Sequence, residues 1–464
     1  MLIMAKLTEK IGYGMGDMAS SMFWKIFSYY LPIFYSDIFN LSLTHTATLM
    51  FVTRVWDAVS DPMMGAISDR TNTRWGKYRP YLLWFSLPFA VSGVLLFTTP
   101  DCAEQGRLVY AYITYILMMT VYTCINVPYA SMLGVITSDS YEKTVFSSYR
   151  MFFAYGGSFI ALYSWEPLCK FFSDYKPFFL TVEGQAGAWQ GAMIVIATVC
   201  FLLFIGSFLL TREHVKGVKG DKLMNDFRFL VRNFPWWMIT CTALCTNLFN
   251  TVRGATVAYY FKYYIGDSNI VDLGVVSFLF YAGVFLAIGE VSNMIGVACA
   301  MPLSKRLGKK TTFIVSAVAM GVLSIAFFYM PLSNGGFIGI LLLQVLISIF
   351  TGVVSPLVWS MYADVADYSY YKHGTASTAL IFSSGSMAQK FGGAIAGSAV
   401  LLLFSFFGLQ PNAATQTPDA IFGMKLAMSY IPAFIALLII GLLVLYPLTT
   451  KRIAEFKSSD MEKQ

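Results

Sequence analysis

The chain has 464 residues, a formal net charge of +7, 57% hydrophobic residues and 12% charged residues. A soluble domain has about 45–50% apolar and ~25% charged residues, so an ordinary soluble enzyme, a disordered chain and a nucleic-acid-binding protein are excluded. The composition predicts a polytopic membrane protein, because a helix that spans a bilayer needs roughly 20 mostly apolar residues. The seven cysteines, most of them in apolar runs, indicate neither a disulfide framework nor a metal site.

Apolar stretches that alternate with short polar breaks predict an all-α membrane protein with twelve transmembrane helices. Pro128 and Pro356 fall inside the fourth and tenth helices and predict kinks there. In chain order the predicted helices are 12–38, 44–68, 80–99, 107–137, 146–168, 187–210, 234–262, 272–300, 311–331, 335–363, 374–405 and 420–448.

A basic segment, 211–233, separates the sixth and seventh helices and predicts two six-helix bundles, 1–210 and 234–448. We therefore expect a cytoplasmic middle loop at 211–233 and a cytoplasmic tail at 449–464. Most of the 32 lysine and arginine residues lie in segments on the same side as the two termini. This asymmetry predicts that both termini face the cytoplasm.

The second predicted helix carries three charged residues, Arg54, Asp57 and Asp61, in FVTRVWDAVSDP. The two aspartates are four residues apart and share a helix face, and Arg54 precedes Asp57 by one turn. Each charge at the bilayer centre costs about 2.5–3.5 kcal/mol on insertion scales, so a structural or functional role is expected for these three residues. An ion-pair cluster that holds helices together is one interpretation. The unbalanced second carboxylate favours the other, a site for Na⁺ or a proton.

The first predicted helix has a polar face with Asp17, Ser21, Trp24 and Lys25. An aromatic ring beside hydroxyl groups suits a sugar, since the ring stacks on the sugar while the hydroxyls form hydrogen bonds. Lys25 either meets an anionic group of the substrate or pairs with an internal carboxylate, and the sequence leaves both interpretations open.

The fourth predicted helix adds Tyr122, Thr123 and Asn126. Thr123 is a candidate oxygen ligand for Na⁺, and Asn126 is a candidate partner for a sugar hydroxyl. The alternative for each residue is an ordinary hydrogen bond between neighbouring helices.

Charged and polar residues also lie in the predicted helices of the second half. Lys390, one turn after Ser386 on the eleventh helix, needs a carboxylate partner so deep in an apolar segment, and we expect the aspartates of the second helix to provide it. Arg253 on the seventh helix and Glu290 on the eighth are expected to form a structural or gating pair.

Four segments make the chain resemble the glycoside–pentoside–hexuronide:cation symporter family, which includes the melibiose permease. They are KIGYGMGD (10–17), RVWDAVSDPMMGAISDRTNTRWGKYRP (54–80), YTCINVPY (122–129) and ADVADYSYYK (363–372), of which the second is the most specific. The resemblance implies the major facilitator fold, in which two six-helix bundles surround a central cavity, and uptake of sugar coupled to Na⁺, H⁺ or Li⁺.

The resemblance also implies residue roles. Asp57 and Asp61 match the cation-binding carboxylates of the family, and Thr123 matches its threonine ligand. Ser60 stands where an asparagine tunes the choice of cation. Residues at positions around the cavity or in the sugar site are Arg54, Tyr122, Arg150, Ser386 and Lys390. Ser21 and Asn126 replace two acidic residues that grip galactoside hydroxyls in the melibiose permease, so we expect a different sugar.

We therefore expect a sugar:cation symporter that works by alternating access, without a cofactor apart from the coupling Na⁺ or H⁺, and not an enzyme. The expected partners are a sugar or glycoside, the coupling cation and the lipid bilayer, with no nucleic acid and a functional monomer. The expected location is a bacterial inner membrane. Two alternatives remain open, a lysolipid transporter of the same fold and an intramembrane enzyme of the prenyltransferase type.

Overall fold

A computed structural model describes residues 7–137, 140–175, 184–214, 232–266, 269–272, 277–373, 378–413 and 415–448. The chain divides into two compact units, Met1–Lys219 with Gln410–Ala414 and Gly220–Leu409 with Thr415–Gln464. The helices of the first unit are α1 (Leu7–Tyr29), α2 (Leu43–Arg70), α3 (Arg79–Leu96), α4 (Glu104–Ile136), α5 (Ser140–Asp174) and α6 (Gly184–Leu210).

The second unit is also mainly helical but includes a short β-ribbon. Its elements are α7 (Phe234–Tyr260), β1 (Asn269–Asp272), β2 (Ser277–Phe280), α8 (Ala282–Leu307), α9 (Lys309–Phe328), α10 (Asn334–His373), α11 (Thr378–Phe406), α12 (Pro418–Met428) and α13 (Tyr430–Leu445).

Each of the twelve predicted apolar segments contains a helix, although several helix ends differ from the prediction, as at His373 of α10, and two segments are not one continuous helix. The eighth segment was predicted to be helical from 272, whereas α8 begins at Ala282 and residues before it form the antiparallel ribbon β1–β2. Val271 and Phe280 of this ribbon are fully buried. An apolar run this short does not show whether its residues repeat with the period of a strand or of a helix, which explains the error.

The other segment that is not one continuous helix is the last, 420–448, which is two helices with a break at Ser429. Ser429 has φ −127° and ψ −80°, outside the helical region. Pro432 lies four residues after Met428, and a proline has no backbone N–H. The carbonyl of Met428 therefore has no partner within the helix at this point.

Among the described residues, eight helical segments are long and apolar enough to cross a membrane by length and composition. The four remaining long helices are α1, α2, α5 and α7. These helices include Asp17, Asp57, Arg150 and Arg253. Polar residues lower the apolar character of a helix, which explains why these four helices fall outside the group, whereas α4, α8 and α11 belong to it although they carry Thr123, Glu290 and Lys390.

The two units repeat one packing plan. In the first unit α1 packs on α5 and α6, α2 packs on α4, and α3 packs on α4 and α6. In the second unit α7 packs on α11 and α13, α8 packs on α10, and α9 packs on α10 and α13. Both α1 and α7 are followed by a π-helical turn, Phe34–Ile38 and Phe261–Ile265. Such an internal repeat is typical of secondary transporters.

Glycines allow equivalent helix pairs to approach closely in both units. A Cβ added at Gly157 of α5 would lie 2.7 Å from the backbone oxygen of Met18 on α1. A Cβ added at Gly392 of α11 would lie 2.9 Å from the backbone oxygen of Leu244 on α7. Small residues at such contacts let helix backbones meet and gain van der Waals energy within a membrane.

The predicted middle loop, 211–233, is described only at its ends, and the predicted tail, 449–464, lies outside the described residues. The start of the loop is anchored to the first unit by Glu213. Its carboxylate accepts hydrogen bonds from the backbone N–H groups of Lys77, Tyr78 and Arg79 at 2.8, 2.7 and 2.8 Å. These contacts fix the turn between α2 and α3.

Candidate cation and substrate site

Four oxygen atoms converge between α2 and α4 in the first unit. The hydroxyl of Thr123 lies 3.2 Å from Oδ1 of Asp57, 3.3 Å from Oδ1 of Asp61 and 3.1 Å from the hydroxyl of Ser60. The α2 residues are brought together by helical spacing, since positions 57, 60 and 61 share one face. Thr123 joins them because α4 packs directly on this face of α2.

The burial of this oxygen cluster, formed by Asp57, Ser60, Asp61 and Thr123, differs from one side to the other. Asp57 is 0% exposed and Thr123 is 2% exposed, whereas Asp61 is half-buried. Carboxylate and hydroxyl oxygens are hard ligands, which suit hard cations rather than soft metals. Thr123 has a single hydroxyl proton, so it can donate to only one carboxylate at a time. A cation at the cluster would let both carboxylates and both hydroxyls act as oxygen donors together.

Arg54 contacts an aromatic ring of α1, although its place in the sequence suggested an ion pair with Asp57 or Asp61. Its guanidinium carbon lies 4.2 Å from the ring centre of Trp24 on α1, in a cation–π contact. In the described part of the chain it forms no ion pair with Asp57 or Asp61. The interpretation of this helix as an ion-pair cluster is therefore wrong for Arg54, because direct contact with the arginine does not neutralise either aspartate.

Aromatic rings connect the α1 face with α4. The ring centres of Trp24 and Tyr122 are 5.3 Å apart, and those of Tyr122 and Phe89 are 6.1 Å apart. Arg54 of α2 lies over the ring of Trp24 of α1, so its side chain connects the helix that carries Asp57 and Asp61 with the polar face of α1. Phe89 was not predicted as part of the site, since an aromatic residue in an apolar helix carries no distinguishing signal.

Asp17 and Arg150 are paired across α1 and α5. Nε of Arg150 lies 3.0 Å from Oδ2 of Asp17, and its Nη2 lies 3.3 Å from Oδ1. This bidentate geometry is the strong form of an arginine–carboxylate contact. The side chain of Arg150 stays 36% exposed, so part of the guanidinium remains accessible.

Two tyrosines support this pair and were missed by the sequence analysis. Tyr13 and Tyr129 stack with ring centres 4.8 Å apart, and the ring centre of Tyr129 lies 5.5 Å from the guanidinium carbon of Arg150. Both tyrosines lie in the segments KIGYGMGD and YTCINVPY that carried the family resemblance. Their place within these segments was the signal by which sequence analysis could have found the two tyrosines.

The remaining predicted residues of α1 and α4 lie on surfaces that are partly open. Ser21, Trp24 and Lys25 are half-buried, in a helix whose other faces are buried. Lys25 also lies 5.5 Å from the ring centre of Tyr29. Asn126 is half-buried too, and its side-chain amide donates to the backbone oxygen of Tyr122 at 3.0 Å. These residues form an accessible polar surface beside the oxygen cluster.

In the second unit, the predicted substrate residues Ser386 and Lys390 lie on α11, Ser386 exposed and Lys390 half-buried. The expected link between Lys390 and the aspartates of α2 remains a prediction. Arg253 is buried and donates to two neutral oxygens, the Met428 carbonyl at 2.9 Å and Oε1 of Gln344 at 2.8 Å.

Within the described residues, no ion pair joins Arg253 to Glu290, so the expected pair is not formed. Glu290 lies on α8 and is itself buried. The physical reason lies in the break at Ser429, which leaves the Met428 carbonyl without a helical donor and offers the guanidinium a neutral acceptor.

Comparison with known proteins agrees with this architecture. The family model described as "MFS/sugar transport protein" matches residues 12–450. The chain is 33% identical over 454 residues to the putative glycoside/cation symporter YagG of Escherichia coli (strain K12), covering 97% of this chain and 94% of that protein. It is 30% identical over 439 residues to the isoprimeverose transporter of Lactiplantibacillus pentosus, covering 92% and 86%.

Among solved structures, a bacterial homologue of the human drug peptide transporters PepT1 and PepT2 superposes with a TM-score of 0.68. It covers 98% of this chain and 99% of that chain at 11% sequence identity, so this likeness concerns the fold alone. The fold and the family together define a multi-pass integral membrane transporter, not an enzyme. The chain belongs to the glycoside–pentoside–hexuronide:cation symporter family of the major facilitator superfamily.

Proposed function

We propose that the protein is a symporter that couples the entry of a sugar or glycoside to Na⁺ or H⁺ by alternating access. The observation that carries the proposal is the convergence of Asp57, Ser60, Asp61 and Thr123 through four oxygen atoms. Two relatives, a putative glycoside/cation symporter and an isoprimeverose transporter, support sugar as the substrate class. The same comparisons do not favour a lysolipid.

The coupling ion would bind at the oxygen cluster and cancel negative charge that Arg54 does not neutralise by contact. An ionised carboxylate buried in a membrane protein is costly without a counter-charge, so the loaded and unloaded clusters differ in energy. This difference is what allows an ion to bias a conformational equilibrium. The loaded carrier would then reorient more readily than a carrier with one ligand.

The sugar would contact the polar surface of the first unit. Asp17 and Arg150 offer charged hydrogen-bonding groups, and Ser21 and Asn126 offer neutral ones. Trp24 and Tyr122 supply the aromatic wall that connects this surface to the cation site, and Lys25 would favour an anionic group if the substrate has one. In the second unit, Ser386 and Lys390 remain the predicted substrate residues.

We further propose that the protein acts as a monomer in a bacterial inner membrane with both termini in the cytoplasm. The orientation is supported by the uneven distribution of lysine and arginine, since only Arg107, Lys170, Lys176 and Lys262 fall in the predicted outer loops. Cysteines introduced at positions 101 and 214, in a background in which Cys102 and the other six native cysteines are replaced, test it with a membrane-impermeant thiol reagent, because the two sites should label from opposite sides.

The decisive experiment is uptake into right-side-out vesicles. The panel contains isoprimeverose, methyl galactoside and methyl glucuronide, each assayed with a Na⁺ gradient, with a pH gradient and with neither. We expect accumulation of at least one glycoside that depends on one of the gradients. Failure of every glycoside to accumulate, with the protein inserted in the membrane, would contradict the proposal.

Two variants connect the uptake to the oxygen cluster. Asp61→Asn should abolish stimulation by either ion, because an amide cannot supply the negative charge that holds a cation or a proton. The matched control is Asp101→Asn, since Asp101 is exposed and lies outside the helices, and it should transport normally. Retained cation stimulation in Asp61→Asn would show that the coupling ion binds elsewhere.

A further inference from the structure

The second unit contains a small polar cavity that the charged residues of the sequence did not indicate. It has a volume of about 60 Å³ and lies between α7, α10 and α11. The polar residues that line it are Thr246, Asn247, Asn250, Thr351, Ser355 and Gln389. None of the described side chains that line it is charged, in contrast to the site residues of the first unit.

The polar groups of this cavity fall into two classes. Some already have partners: Thr246 donates to the Thr242 carbonyl at 2.8 Å, Thr351 donates to the Ile347 carbonyl at 2.9 Å, and Asn247 accepts from Thr251 at 3.0 Å.

Three others, Asn250, Ser355 and Gln389, form no hydrogen bond within the described part of the chain. Asn250 is exposed and the other two are half-buried. The cavity therefore presents two amides and one hydroxyl that are available to a ligand.

The chemistry of these groups selects hydroxyls. A side-chain amide offers a donor and an acceptor at once, and a hydroxyl does the same, so each can satisfy an alcohol completely. A carboxylate or sulfonate would need a cationic partner, and the described residues of the lining provide none. A cavity needs about 10–15 Å³ of such volume to hold one water molecule, so this one has room for several water-sized groups, such as hydroxyls at one edge of a sugar.

Helical spacing connects the cavity to the predicted substrate residues of α11. Gln389 follows Ser386 by three residues and Lys390 follows it by four, so all three share one face of the helix. Gln389 thus belongs both to the cavity lining and to the face on which the predicted substrate contacts of the second unit lie.

We propose that this cavity is a subsite that binds a neutral, hydroxyl-bearing part of the transported sugar. The proposal rests on the proposed function and adds to it a contribution from the second unit that recognises uncharged hydroxyl groups. The subsite favours an alcohol over an acidic group at the position of the sugar that enters the cavity.

The test is a comparison of deoxy sugars in the uptake assay. For a glycoside that the wild-type protein accumulates, each monodeoxy analogue is assayed as a competitor against wild type, Gln389→Leu and Ser355→Ala. Removal of the hydroxyl that enters the cavity should weaken competition by about 3- to 10-fold in wild type, as expected for one or two net hydrogen bonds. In Gln389→Leu, removal of the same sugar hydroxyl should hardly change competition, because the amide that binds this hydroxyl is already absent.

The matched control is Thr256→Val on α7, because Thr256 is not among the described residues that line the cavity and its hydroxyl bonds to the Val252 carbonyl of its own helix. Its deoxy profile should be that of wild type. Gln389→Leu and Ser355→Ala profiles that match wild type for every analogue would overturn the subsite while leaving symport intact. A wild-type protein that accumulates no glycoside overturns both proposals.

Discussion

The two units share a packing plan but differ in the chemistry of their interiors. In the first unit, α2 and α4 bring two carboxylates and two hydroxyls together, and α1 and α5 are joined by the Asp17–Arg150 pair. In the second unit, α7, α10 and α11 enclose neutral amides and hydroxyls, the buried Arg253 bonds to neutral oxygens, and the buried carboxylate of Glu290 lies on α8. The repeat therefore fixes where helices meet but not what they bind.

This difference has a physical basis. A coupling ion requires fixed negative charge, and that charge is tolerated in a membrane only where hydroxyls and the ion itself stabilise it. A neutral hydrogen-bonding cavity makes no such demand, because amides and hydroxyls can be satisfied by water or by a sugar. If the carboxylate cluster binds the coupling ion as proposed, its restriction to one unit would give one ion site for each carrier, whereas two equal clusters would give two.

The largest effect that would sharpen this comparison is expected for Thr123→Val. This change removes the hydroxyl that contacts both carboxylates while keeping the side-chain volume. A hydrogen bond to a charged group contributes about 1.5–3 kcal/mol, so the Na⁺ concentration for half-maximal uptake should rise by roughly 10-fold or more. Coupling to a pH gradient should persist, because a proton needs only the carboxylates.

Thr114→Val is the control for this change, since the Thr114 hydroxyl bonds to the Tyr110 carbonyl of its own helix. Its Na⁺ dependence should match that of wild type. If Thr123→Val retains the wild-type Na⁺ dependence in a protein coupled to Na⁺, Thr123 is not a ligand and the oxygen cluster is a set of helix contacts.

An intermediate effect, on stability, is expected for Arg253→Met in the second unit. The change leaves the Met428 carbonyl and the Gln344 amide without their donor, and a buried polar group left unpaired costs about 1–3 kcal/mol. The midpoint of thermal unfolding in detergent should fall. Cation stimulation should persist, because Arg253 lies outside the oxygen cluster.

Pro432→Ala in the Arg253→Met background separates the carbonyl contact from general packing. An alanine supplies the backbone N–H that Pro432 lacks, so the Met428 carbonyl regains a helical donor and part of the lost stability should return. If the double variant is no more stable than Arg253→Met, the bond from Arg253 to the Met428 carbonyl does not contribute to stability.

The smallest effect is expected for Trp24→Leu. Without the aromatic ring Arg54 loses its cation–π partner, which contributes about 0.5–2 kcal/mol, and its guanidinium becomes free to approach the aspartates of α2. A cation would then compete with the arginine, so ion affinity should fall by a few fold in uptake measurements.

Trp56→Leu on α2 is the control for Trp24→Leu, because Trp56 is exposed and its ring N–H bonds to Thr120. Its ion affinity should be that of wild type. An increase in ion affinity for Trp24→Leu would mean that the ring does not hold Arg54 away from the cluster.

The sequence by itself determined the membrane class, the apolar segments and the position of Asp57 and Asp61 on one face of α2. Composition, length and helical period are local properties, and they fix which residues enter the bilayer and which share a helix face. The polar residues of α4 had already made Thr123 a candidate ligand, and the family resemblance supported it and added Ser60, since both residues lie within the matching segments. The full membership of the oxygen cluster was therefore predictable.

Only the tertiary structure decided what the charged residues contact. Arg54 lies one turn from Asp57 along the chain, yet its guanidinium lies over Trp24 of another helix. Arg253 bonds to Met428, 175 residues away, because a proline-associated break freed that carbonyl. The neutral cavity of the second unit also depends on three helices that are far apart in sequence. Such contacts arise from helix packing, and no periodic pattern within one segment encodes them.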